Sequence, residues 1–425
     1  MLSVLIYEYV TGGGFIDCPA LPRITSEAYA MLNSLVRDFS QNAGCEVATV
    51  MEKRLAKHFR PSFASRISEI SSRSELDNTL KSAFKEVDAT LIVAPETDGV
   101  LESVTRVAEE SGCAVLLGPG SNAVQHVSKK DEAVQIARSV GVAVPETTCI
   151  SVDEDPRLAF RLARDIGLPI VVKPQEGAGS EGVFVIKSYE DLVEALKKMR
   201  SGNAKRKVLL QQHVRGTDAS VNVVSSKSGH VVPLAMNRQL VRLRPPSEVS
   251  SYEGGCTPFH NSLEHETLNE ACRIVESVKG LKGYVGIDFV LTEEKPVFME
   301  INARITTSYA GLHRILRTDS RKGAANAIID AVMKDKLPSQ VELNGYICYS
   351  KIIMKPDVKI NKDTTDVLSN LEYVLSPPFP DNGEITEAFL TGEGNSPDEA
   401  MAAKSRNEKK LDRIARKFME PSLKS

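Results

Sequence analysis

Two neighbouring apolar segments carry acidic and amide side chains, and this combination constrains the fold most. Residues 283–291 and 297–301 are separated by a short polar turn, which predicts the two strands of a β-hairpin. Glu300 and Asn302 stand two positions apart and share a face, and Asp288 can face them from the first strand. A carboxylate in an apolar strand is costly unless it is paired or bound to a cation. The pattern therefore predicts a sheet with one functional face.

The residues on this face suggest a metal site. Two carboxylates and an amide oxygen form a hard oxygen-donor set, which suits Mg²⁺ held partly by phosphate oxygens. We therefore predict Asp288, Glu300 and Asn302 as ligands of Mg²⁺, with Mn²⁺ as an alternative metal. Arg304 follows on the same face, where it can neutralise charge on a transferred phosphoryl group. The alternative interpretation is a set of strand side chains satisfied by neighbouring hydrogen bonds.

A second motif places a lysine before a glycine-rich loop. Lys173 ends the apolar strand 170–173, and the loop at 177–182 leads directly into the next strand. No helix follows the loop at once, so it is neither a Walker loop nor a dinucleotide-binding turn. The ammonium and the exposed backbone N–H groups together predict an anion cradle. Its candidate residues are Lys173, Gly177, Gly179, Ser180 and Gly182.

A third motif is a strand that runs out into a glycine turn at residues 209–218. The strand end can present its backbone to an adenine edge, and a carboxylate a few residues on can hold a ribose hydroxyl. The candidate residues are Gln211, Gln212, His213, Val214 and Asp218. This motif gains its meaning from its place between the other two.

Composition and charge exclude several classes of protein. The chain has 425 residues and a formal net charge of −3, so no basic field suggests nucleic acid or an anionic membrane as a partner. No apolar run approaches the roughly 20 residues that span a bilayer, and the N-terminal run is better explained as a first strand than as a signal peptide. The seven cysteines are scattered without a CxxC pair, which favours reduced thiols. We expect a cytoplasmic protein.

Strands and helices alternate in the first 125 residues, which predicts an α/β fold with a parallel sheet. Strands are expected at 3–9, 46–51, 89–94 and 114–117. Two turns of this region, at 11–14 and 95–99, are candidate ligand contacts, although the triple glycine is equally explained as a tight turn. Residues 238–261 are expected to form a polar loop, in which Arg238, Arg242 and Arg244 either anchor an acidic substrate or are solvated. The predicted units are 1–125, 126–214, 215–335 and 336–425.

The order of these motifs resembles the ATP-grasp superfamily across residues 1–335. The order is Lys130, then Lys173 with its loop, then residues 211–218, then Asp288, and then residues 300–304. The resemblance implies a pre-ATP-grasp domain followed by a two-lobed clamp for ATP. It implies that Lys130 and Lys173 contact the phosphates, with Lys129 as an alternative to Lys130. It also implies that residues 211–214 meet adenine, that Asp218 holds the ribose, and that Asp288, Glu300 and Asn302 bind Mg²⁺.

The turns at 8–14 and 94–99 are similar to those of a narrower group, the tyramine–glutamate ligases of archaeal methanofuran biosynthesis. This resemblance implies small-molecule substrates: the γ-carboxylate of glutamate is activated as an acyl phosphate, and the amine of tyramine forms the amide. Thr306, Thr307 and Ser308 are expected to line the carboxylate site. The alternatives are a ligase like that of pyrrolysine biosynthesis, an ATP-grasp phosphotransferase, and a non-catalytic ATP-binding module. A homodimer is left open.

Overall fold

Four β-sheets organise the part of the chain that the structure describes. The structure is a computed structural model, and it describes residues 1–18, 22, 24–200, 206–354, 362–378 and 387–417. The sheets have four, four, eight and three strands. Short turns of irregular helix stand at Val10–Gly14, Asp38–Asn42 and Thr97–Gly99.

The first sheet is parallel, as the sequence predicts, and runs in the order β3-β2-β1-β4. Its strands are β1 (Ser3–Glu8), β2 (Glu46–Glu52), β3 (Arg66–Ile70) and β4 (Ala89–Val93), and its helices are α1 (Thr25–Arg37), α2 (Lys53–Ala56), α3 (Arg73–Glu86) and α4 (Val100–Glu110). The sequence missed β3, which is an edge strand with only two apolar side chains. The strand expected at 114–117 is wrong, since Leu116 forms only an isolated bridge with Thr90.

The second sheet is antiparallel, in the order β5-β8-β6-β7, and it carries the glycine-rich loop. The elements of this region are α5 (Ser121–Ser128), α6 (Lys130–Ser139), β5 (Thr147–Ser151), α7 (Pro156–Ile166), β6 (Ile170–Pro174), β7 (Phe184–Ile186), α8 (Tyr189–Met199) and β8 (Lys207–Gln212). Ser188 and Asp191 form a capping box that fixes the start of α8 directly after β7. Helices α7 and α8 and the sheet enclose a separate apolar core.

The elements that follow in the chain supply the two remaining sheets. They are β9 (Thr217–Ser225), β10 (Val231–Arg242), β11 (Ser251–Thr257), α9 (Glu264–Glu276), β12 (Gly283–Leu291), β13 (Pro296–Asn302), α10 (Tyr309–Ile315), β14 (Leu316–Thr318), β15 (Arg321–Lys322), α11 (Ala325–Met333), β16 (Val341–Leu343), β17 (Tyr346–Ile353), α12 (Lys362–Ser369), β18 (Val374–Ser376), β19 (Glu387–Gly394) and α13 (Pro397–Lys417). The strands β14, β15 and β16 form the three-stranded sheet.

The eight-stranded sheet joins the C-terminal residues to the rest of the molecule. Its order is β13-β12-β9-β10-β11-β17-β19-β18, so strands after residue 335 extend the sheet that contains β12 and β13. The polar loop expected at 238–261 is wrong, because residues 231–242 and 251–257 are the strands β10 and β11. Both strands pair on both sides within the sheet, which satisfies their backbone groups. The domain boundaries that we drew from the sequence stay a prediction.

Packing between the first sheet and the eight-stranded sheet fixes the walls of the site. Leu5 and Val50 of the first sheet share one apolar cluster with Val221 and Ile287 of the second. The buried carboxylate of Asp38 strengthens this attachment, since it accepts hydrogen bonds from the Tyr309 hydroxyl at 2.5 Å and from the backbone of Ala324 and Ala325 at the start of α11. Segments far apart in the sequence are thus held at the edges of one site.

The cysteines differ in part from the expectation of reduced thiols. Cys256 on β11 and Cys348 on β17 form a disulfide, whereas Cys18, Cys45, Cys113, Cys149 and Cys272 are free. The two paired residues lie directly opposite each other on antiparallel strands. Sequence spacing could not show this, because the pairing of β11 with β17 was not predicted.

Among the described residues, none of the helices combines the length and the apolar character that crossing a bilayer requires.

Candidate functional site

A first cavity of about 520 Å³ lies between the second sheet and the eight-stranded sheet. Most of the residues predicted for the site line it. They are Lys130, Lys173, Gly177, Gly179, Ser180, Gln211, Gln212, His213, Val214, Asp218, Asp288, Glu300, Asn302 and Arg304. Gly182 lies instead on an adjoining second cavity. The three motifs, which are separate in the sequence, are therefore brought to one place.

The hairpin of β12 and β13 forms the acidic wall of the first cavity. Asp288 and Glu300 lie directly opposite each other in the antiparallel register. Asn302 donates from Nδ2 to Oδ2 of Asp288 at 3.2 Å, and Gln239 donates to Oδ1 of Asp288 at 3.1 Å. Burial and the neighbouring charge of Glu300 raise the pKa of Asp288 well above its usual value. Two adjacent buried carboxylates repel each other, and a cation would relieve that repulsion.

Two lysines face this acidic wall. Lys130 begins α6, and its Nζ lies 3.2 Å from Oε2 of Glu300 and donates to the carbonyl of Gly177 at 2.7 Å. Burial lowers the pKa of Lys173 to about 8, partly offset by the charge of Glu300. Although burial raises the pKa of Glu300, the charges of Lys130 and Lys173 hold it below its usual value. Lys129, the sequence alternative, pairs with Glu132 at 2.9 Å and does not line the cavity.

The donor set of the acidic wall fits Mg²⁺. Asp288, Glu300 and Asn302 offer two carboxylates and an amide, which are oxygen donors of the kind that this metal prefers. Within the described ranges, no group of three or more His, Cys, Asp and Glu side chains is placed to hold a metal. A metal on this wall would therefore have few protein ligands and would leave positions for phosphate oxygens, as is usual for Mg²⁺ in nucleotide sites.

The glycine-rich loop between β6 and β7 bends by means of left-handed residues. Gly179 and Gly182 have φ values of +68° and +69°, and Ser180 between them has +64°. A side chain at either glycine position would strain the backbone, because L residues seldom adopt this conformation. Such a bend can turn backbone N–H groups towards one side, the arrangement that binds anions in loops of this kind.

The strand end at β8 forms the wall opposite the acidic hairpin. Gln211 is fully buried and donates to Oγ1 of Thr147 at 3.0 Å, while its Oε1 has no hydrogen-bond partner among the described residues. Burial raises the pKa of Asp218 to about 6 and lowers the pKa of His213. Gln211 and Asp218 both line the cavity, and Oε1 of Gln211 is a buried acceptor that no described residue satisfies.

Arg304 has a partner that the sequence did not reveal. Its guanidinium donates to Oε2 of Glu96 at 2.8 and 3.1 Å, and both side chains are buried. Glu96 stands in the turn after β4, which was expected to contact a ligand but not to hold an arginine. A charged residue in the turn after a parallel strand is the signal that could have indicated the partner. Arg304 also approaches Oδ1 of Asn302 at 3.4 Å, so the pair connects the first sheet to the acidic wall.

The second cavity has a volume of about 1250 Å³ and shares a wall with the first. Residues that line both include Glu27, Gly177, Ala178, Gly179, Arg304 and Thr307. Elsewhere the second cavity is lined largely by apolar and aromatic side chains: Tyr9, Val10, Phe15, Ile24, Ala28, Met31, Val93 and Val100. The expected carboxylate-site residues Thr306, Thr307 and Ser308 all line the first cavity. Glu27 belongs to none of the motifs found in the sequence.

Two family models match adjoining parts of the chain. The model described as ATP-grasp domain matches residues 127–308, and the model described as pre ATP-grasp 3 domain matches residues 45–124. The first of these ranges contains Lys130, Lys173 and the acidic hairpin. Together the two ranges contain the residues that line both cavities, except for the lining residues between Glu8 and Met31.

Several curated relatives are named as ligases. The chain is 26% identical over 312 residues to a tyramine–L-glutamate ligase of Methanocaldococcus jannaschii, covering 73% of this chain and 84% of that protein. It is 25% identical over 190 residues to a D-alanine–D-alanine ligase of Fusobacterium nucleatum, covering 44% of this chain and 59% of that one.

Solved structures share the fold at lower identity. A biotin carboxylase from Campylobacter jejuni, described as a beta-gamma-ATP complex, has a TM-score of 0.71 at 15% identity and covers 99% of this chain and 96% of that chain. A protein described as a putative ATP-grasp superfamily protein from Archaeoglobus fulgidus has a TM-score of 0.58 at 21% identity, with 92% and 99% covered. These likenesses concern the fold alone.

Proposed function

Because the chain belongs to the ATP-grasp superfamily, and its curated relatives are ATP-dependent ligases, we propose that it joins an amino-acid carboxylate to an amine through an acyl phosphate. The observation that carries the proposal is the convergence of Lys130, Lys173 and the Asp288–Glu300–Asn302 wall on one cavity beside a glycine-rich loop. Such a site handles phosphate, since it combines fixed cations, backbone donors and oxygen ligands for a metal.

Different residues have different roles in the proposed phosphoryl transfer. Lys130 and Lys173 bind phosphate oxygens, and Asp288, Glu300 and Asn302 would hold Mg²⁺. When bound, the metal would neutralise the negative charge of those oxygens. Gln211, Gln212, His213 and Val214 face the base of ATP, and Asp218 accepts a hydrogen bond from the ribose. Catalysis is then mainly positioning and electrostatics, and no protein nucleophile is needed.

The reaction follows in two balanced steps. An oxygen of the substrate carboxylate attacks the γ-phosphorus, and ADP leaves, which gives an acyl phosphate. The amine nitrogen then attacks the acyl carbon and loses a proton, and phosphate leaves as the amide forms. Arg304, which lines both cavities, stabilises negative charge at the place where the two steps meet.

For the two substrates, we propose an amino acid such as glutamate and a primary amine such as tyramine. The relative from Methanocaldococcus jannaschii carries this pair in its name, tyramine–L-glutamate ligase. The wide second cavity, with Tyr9 and Phe15 on its wall, offers an apolar and aromatic surface to the body of such an amine.

The proposal is tested by measuring ADP release by the purified full-length chain with Mg²⁺ and ATP. Amino acids are tested with and without tyramine and other primary amines, and the amide product is identified by mass spectrometry. We expect ADP release that needs both substrates and that falls about 10²–10³-fold in Glu300→Ala, the usual scale for loss of one preorganised electrostatic group. Glu293→Ala, an exposed glutamate in the turn of the same hairpin, is the matched control and keeps wild-type turnover.

Two results would contradict the proposal. ADP release that no amine stimulates, with no amide formed, would indicate a phosphotransferase or a simple ATPase. Equal turnover in Glu300→Ala and in Glu293→Ala would show that the acidic wall does not bind the metal.

A further inference from the structure

The triple-glycine turn at Gly12–Gly14 stands between two aromatic residues of the second cavity, Tyr9 and Phe15. We propose that this turn holds the two rings as the residues that determine acceptor specificity, and that they select a primary amine with an aromatic body over its aliphatic counterpart. The inference rests on the proposed ligase activity and adds to it the chemical class of the acceptor. It also gives a function to the turn.

The first argument is the packing of the glycines. A Cβ atom at Gly13 would stand 2.4 Å from Cδ1 of Ile70, and the φ of Gly13 is +94°, which L residues seldom adopt. A Cβ atom at Gly14 would stand 2.2 Å from the ring of Tyr9, so this glycine lets the ring fold back over the turn. Residues 11–14 line neither cavity. The turn therefore acts through the aromatic side chains beside it and not as a direct ligand contact.

Arg73, the first residue of α3, fixes the same turn. Its Nη2 donates to the carbonyl of Gly14 at 3.0 Å, and its Nε donates to Oδ2 of Asp17 at 3.2 Å. The hydroxyl of Tyr9 lies beside the same guanidinium. Arg73 does not line the second cavity, so the polar end of Tyr9 is engaged outside the cavity wall, and Tyr9 meets the cavity mainly with its ring.

The rings of Tyr9 and Phe15 form an edge-to-face pair. Their centroids lie 5.7 Å apart and their planes meet at 75°, which is an arrangement that aromatic side chains prefer. Both side chains are half-buried, and both line the second cavity. An edge-to-face contact leaves ring surface uncovered, and a third ring can pack there with the same geometry. A saturated ring of the same size would bury a similar area but would lack this interaction.

The pair also stands where the topology of the first sheet favours a ligand. Strand β1 is the neighbour of both β2 and β4, and the chain extends the sheet to one side through β2 and β3 before β4 joins on the other side. In open α/β sheets, ligands bind beyond the carboxyl ends of the strands at such a point. Tyr9 and Val10 follow β1, Ala94 and Pro95 follow β4, and all four line the second cavity.

The second cavity connects the aromatic pair to the place of reaction. Arg304 and Thr307 line both cavities, so the second cavity extends from the pair to the wall that it shares with the first. Glu8, the neighbour of Tyr9, lies within electrostatic reach of Arg304. One acceptor molecule can therefore place its ring against the pair and its nitrogen at the shared wall, where the acyl phosphate of the proposed reaction forms.

The test compares two acceptors in the full-length chain, with L-glutamate, Mg²⁺ and ATP saturating. They are tyramine and 4-(2-aminoethyl)cyclohexanol, which has the same heavy atoms but no aromatic ring. Wild type should prefer tyramine in kcat/KM by about 3–10-fold, and Tyr9→Leu and Phe15→Leu should each remove most of that preference, with the KM for ATP within about twofold of wild type. Tyr189→Leu is the matched control, because Tyr189 forms an edge-to-face pair with Phe160 but lines neither cavity.

Further variants test the role of the turn. Gly14 has helical backbone angles, so Gly14→Ala changes the packing against Tyr9 and not the backbone conformation. It should reduce the preference for tyramine as Tyr9→Leu does, and the double variant Gly14→Ala/Tyr9→Leu should show no further loss, because both changes act on one ring. Tyr9→Phe keeps the ring and should keep the preference. A purely structural role would lower kcat with both acceptors and lower thermal stability, and would leave the preference unchanged.

Direct binding separates this inference from the proposed function. Calorimetry should show that wild type binds tyramine about 3–10-fold more tightly than Tyr9→Leu, and that 4-(2-aminoethyl)cyclohexanol binds to the two proteins with affinities within about twofold. The result holds whether or not turnover is detected. Equal binding of tyramine by the two proteins, or no binding by wild type, overturns the inference, whereas a lack of amide product with this binding intact overturns only the proposed reaction.

Discussion

The two cavities share a wall but are built in different ways. The acidic wall and the lysines of the first cavity come from short motifs, each of which places its polar side chains by local strand geometry. Glu27 of α1, on the wall that the second cavity shares with the first, instead pairs with Lys351 of β17, from the other end of the described chain. The residues predicted to bind phosphate are therefore encoded in local motifs, whereas the wall that the two cavities share depends on how distant segments pack.

The two cavities also differ in how their charged residues are arranged. In the first cavity Lys130 and Lys173 face Asp288 and Glu300, so two cations stand against two carboxylates before ATP and metal bind. In the second, charged residues of both signs stand among apolar and aromatic side chains. We therefore expect variants of the first cavity to affect turnover with every substrate and variants of the second to affect one substrate.

The largest effect is expected from Lys173→Met. The variant removes a buried ammonium beside Glu300 and the glycine-rich loop, and it should lower kcat about 10²–10³-fold with any acid and amine. Lys187→Met, at an exposed position just after β7, is the matched control and should keep its turnover. A loss of turnover with one amine only would contradict this prediction, because Lys173 would then take part in recognition of the acceptor.

A smaller effect is expected at the Arg304–Glu96 pair, which stands between the two cavities. Glu96→Gln leaves the Arg304 charge buried without its partner, so we expect a loss of about 3–5 kcal/mol in unfolding free energy, measured by urea titration. Turnover should fall about 10–100-fold, because the guanidinium is no longer held in place.

The double variant Glu96→Gln/Arg304→Met shows which of the two roles dominates. Removal of both charges should recover most of the lost stability, since no buried charge remains alone, but it should not recover turnover. If Arg304→Met alone kept wild-type kcat, the predicted catalytic role of Arg304 would be wrong and the pair would be structural.

A third prediction concerns Asp218, whose substitution should affect the binding of ATP and of no other substrate. Its carboxyl has a pKa of about 6 because of burial, above the value of about 3.9 that is usual in an unfolded chain. The folded state thus holds more protons between about pH 4 and pH 6, and stability falls as the pH rises through that window. Asp218→Asn should therefore match wild type in thermal stability near pH 4 and exceed it at pH 7.

The same substitution should weaken ATP binding. Loss of a charged acceptor for the ribose should raise the KM for ATP about tenfold at pH 7, with the KM for the amine unchanged. Glu270→Gln on α9 is the control, since burial also raises the pKa of that carboxyl, to about 7, but it lines neither cavity. An unchanged KM for ATP in Asp218→Asn would remove this residue from the nucleotide site.

Much of the fold could be predicted from the sequence where the signal is local. The strand Gly283–Leu291 has the predicted bounds, and its partner Pro296–Asn302 differs by a residue at each end, because the apolar runs and the polar turn leave little choice. The parallel first sheet and the ATP-grasp fold are confirmed for the same reason. The roles of the site residues stay predictions, although the structure brings nearly all of these residues together.

The rest of the fold and of the candidate site depends on contacts that the sequence pattern does not reveal. Residues 238–257 look like a polar loop, yet neighbouring strands on both sides turn them into β10 and β11. Glu27 and Lys351 have no motif of their own, and they meet because α1 packs against β18 and β19 of the sheet that contains β17. The pairing of Cys256 with Cys348 likewise follows from strand order and not from spacing.

The smallest effect on catalysis is expected from the double variant Cys256→Ser/Cys348→Ser. The disulfide links positions separated by 92 residues, and loss of such a link typically costs about 2–5 kcal/mol of stability. The backbone pairing of β11 with β17 remains, so Lys351 stays opposite Glu27 and the KM for tyramine should change by no more than about twofold. Dithiothreitol should lower the melting temperature of wild type to that of the variant and leave the variant itself unaffected. A large rise in the KM for tyramine, with an unchanged KM for ATP, would mean that strand pairing alone does not hold the wall around Glu27 in place.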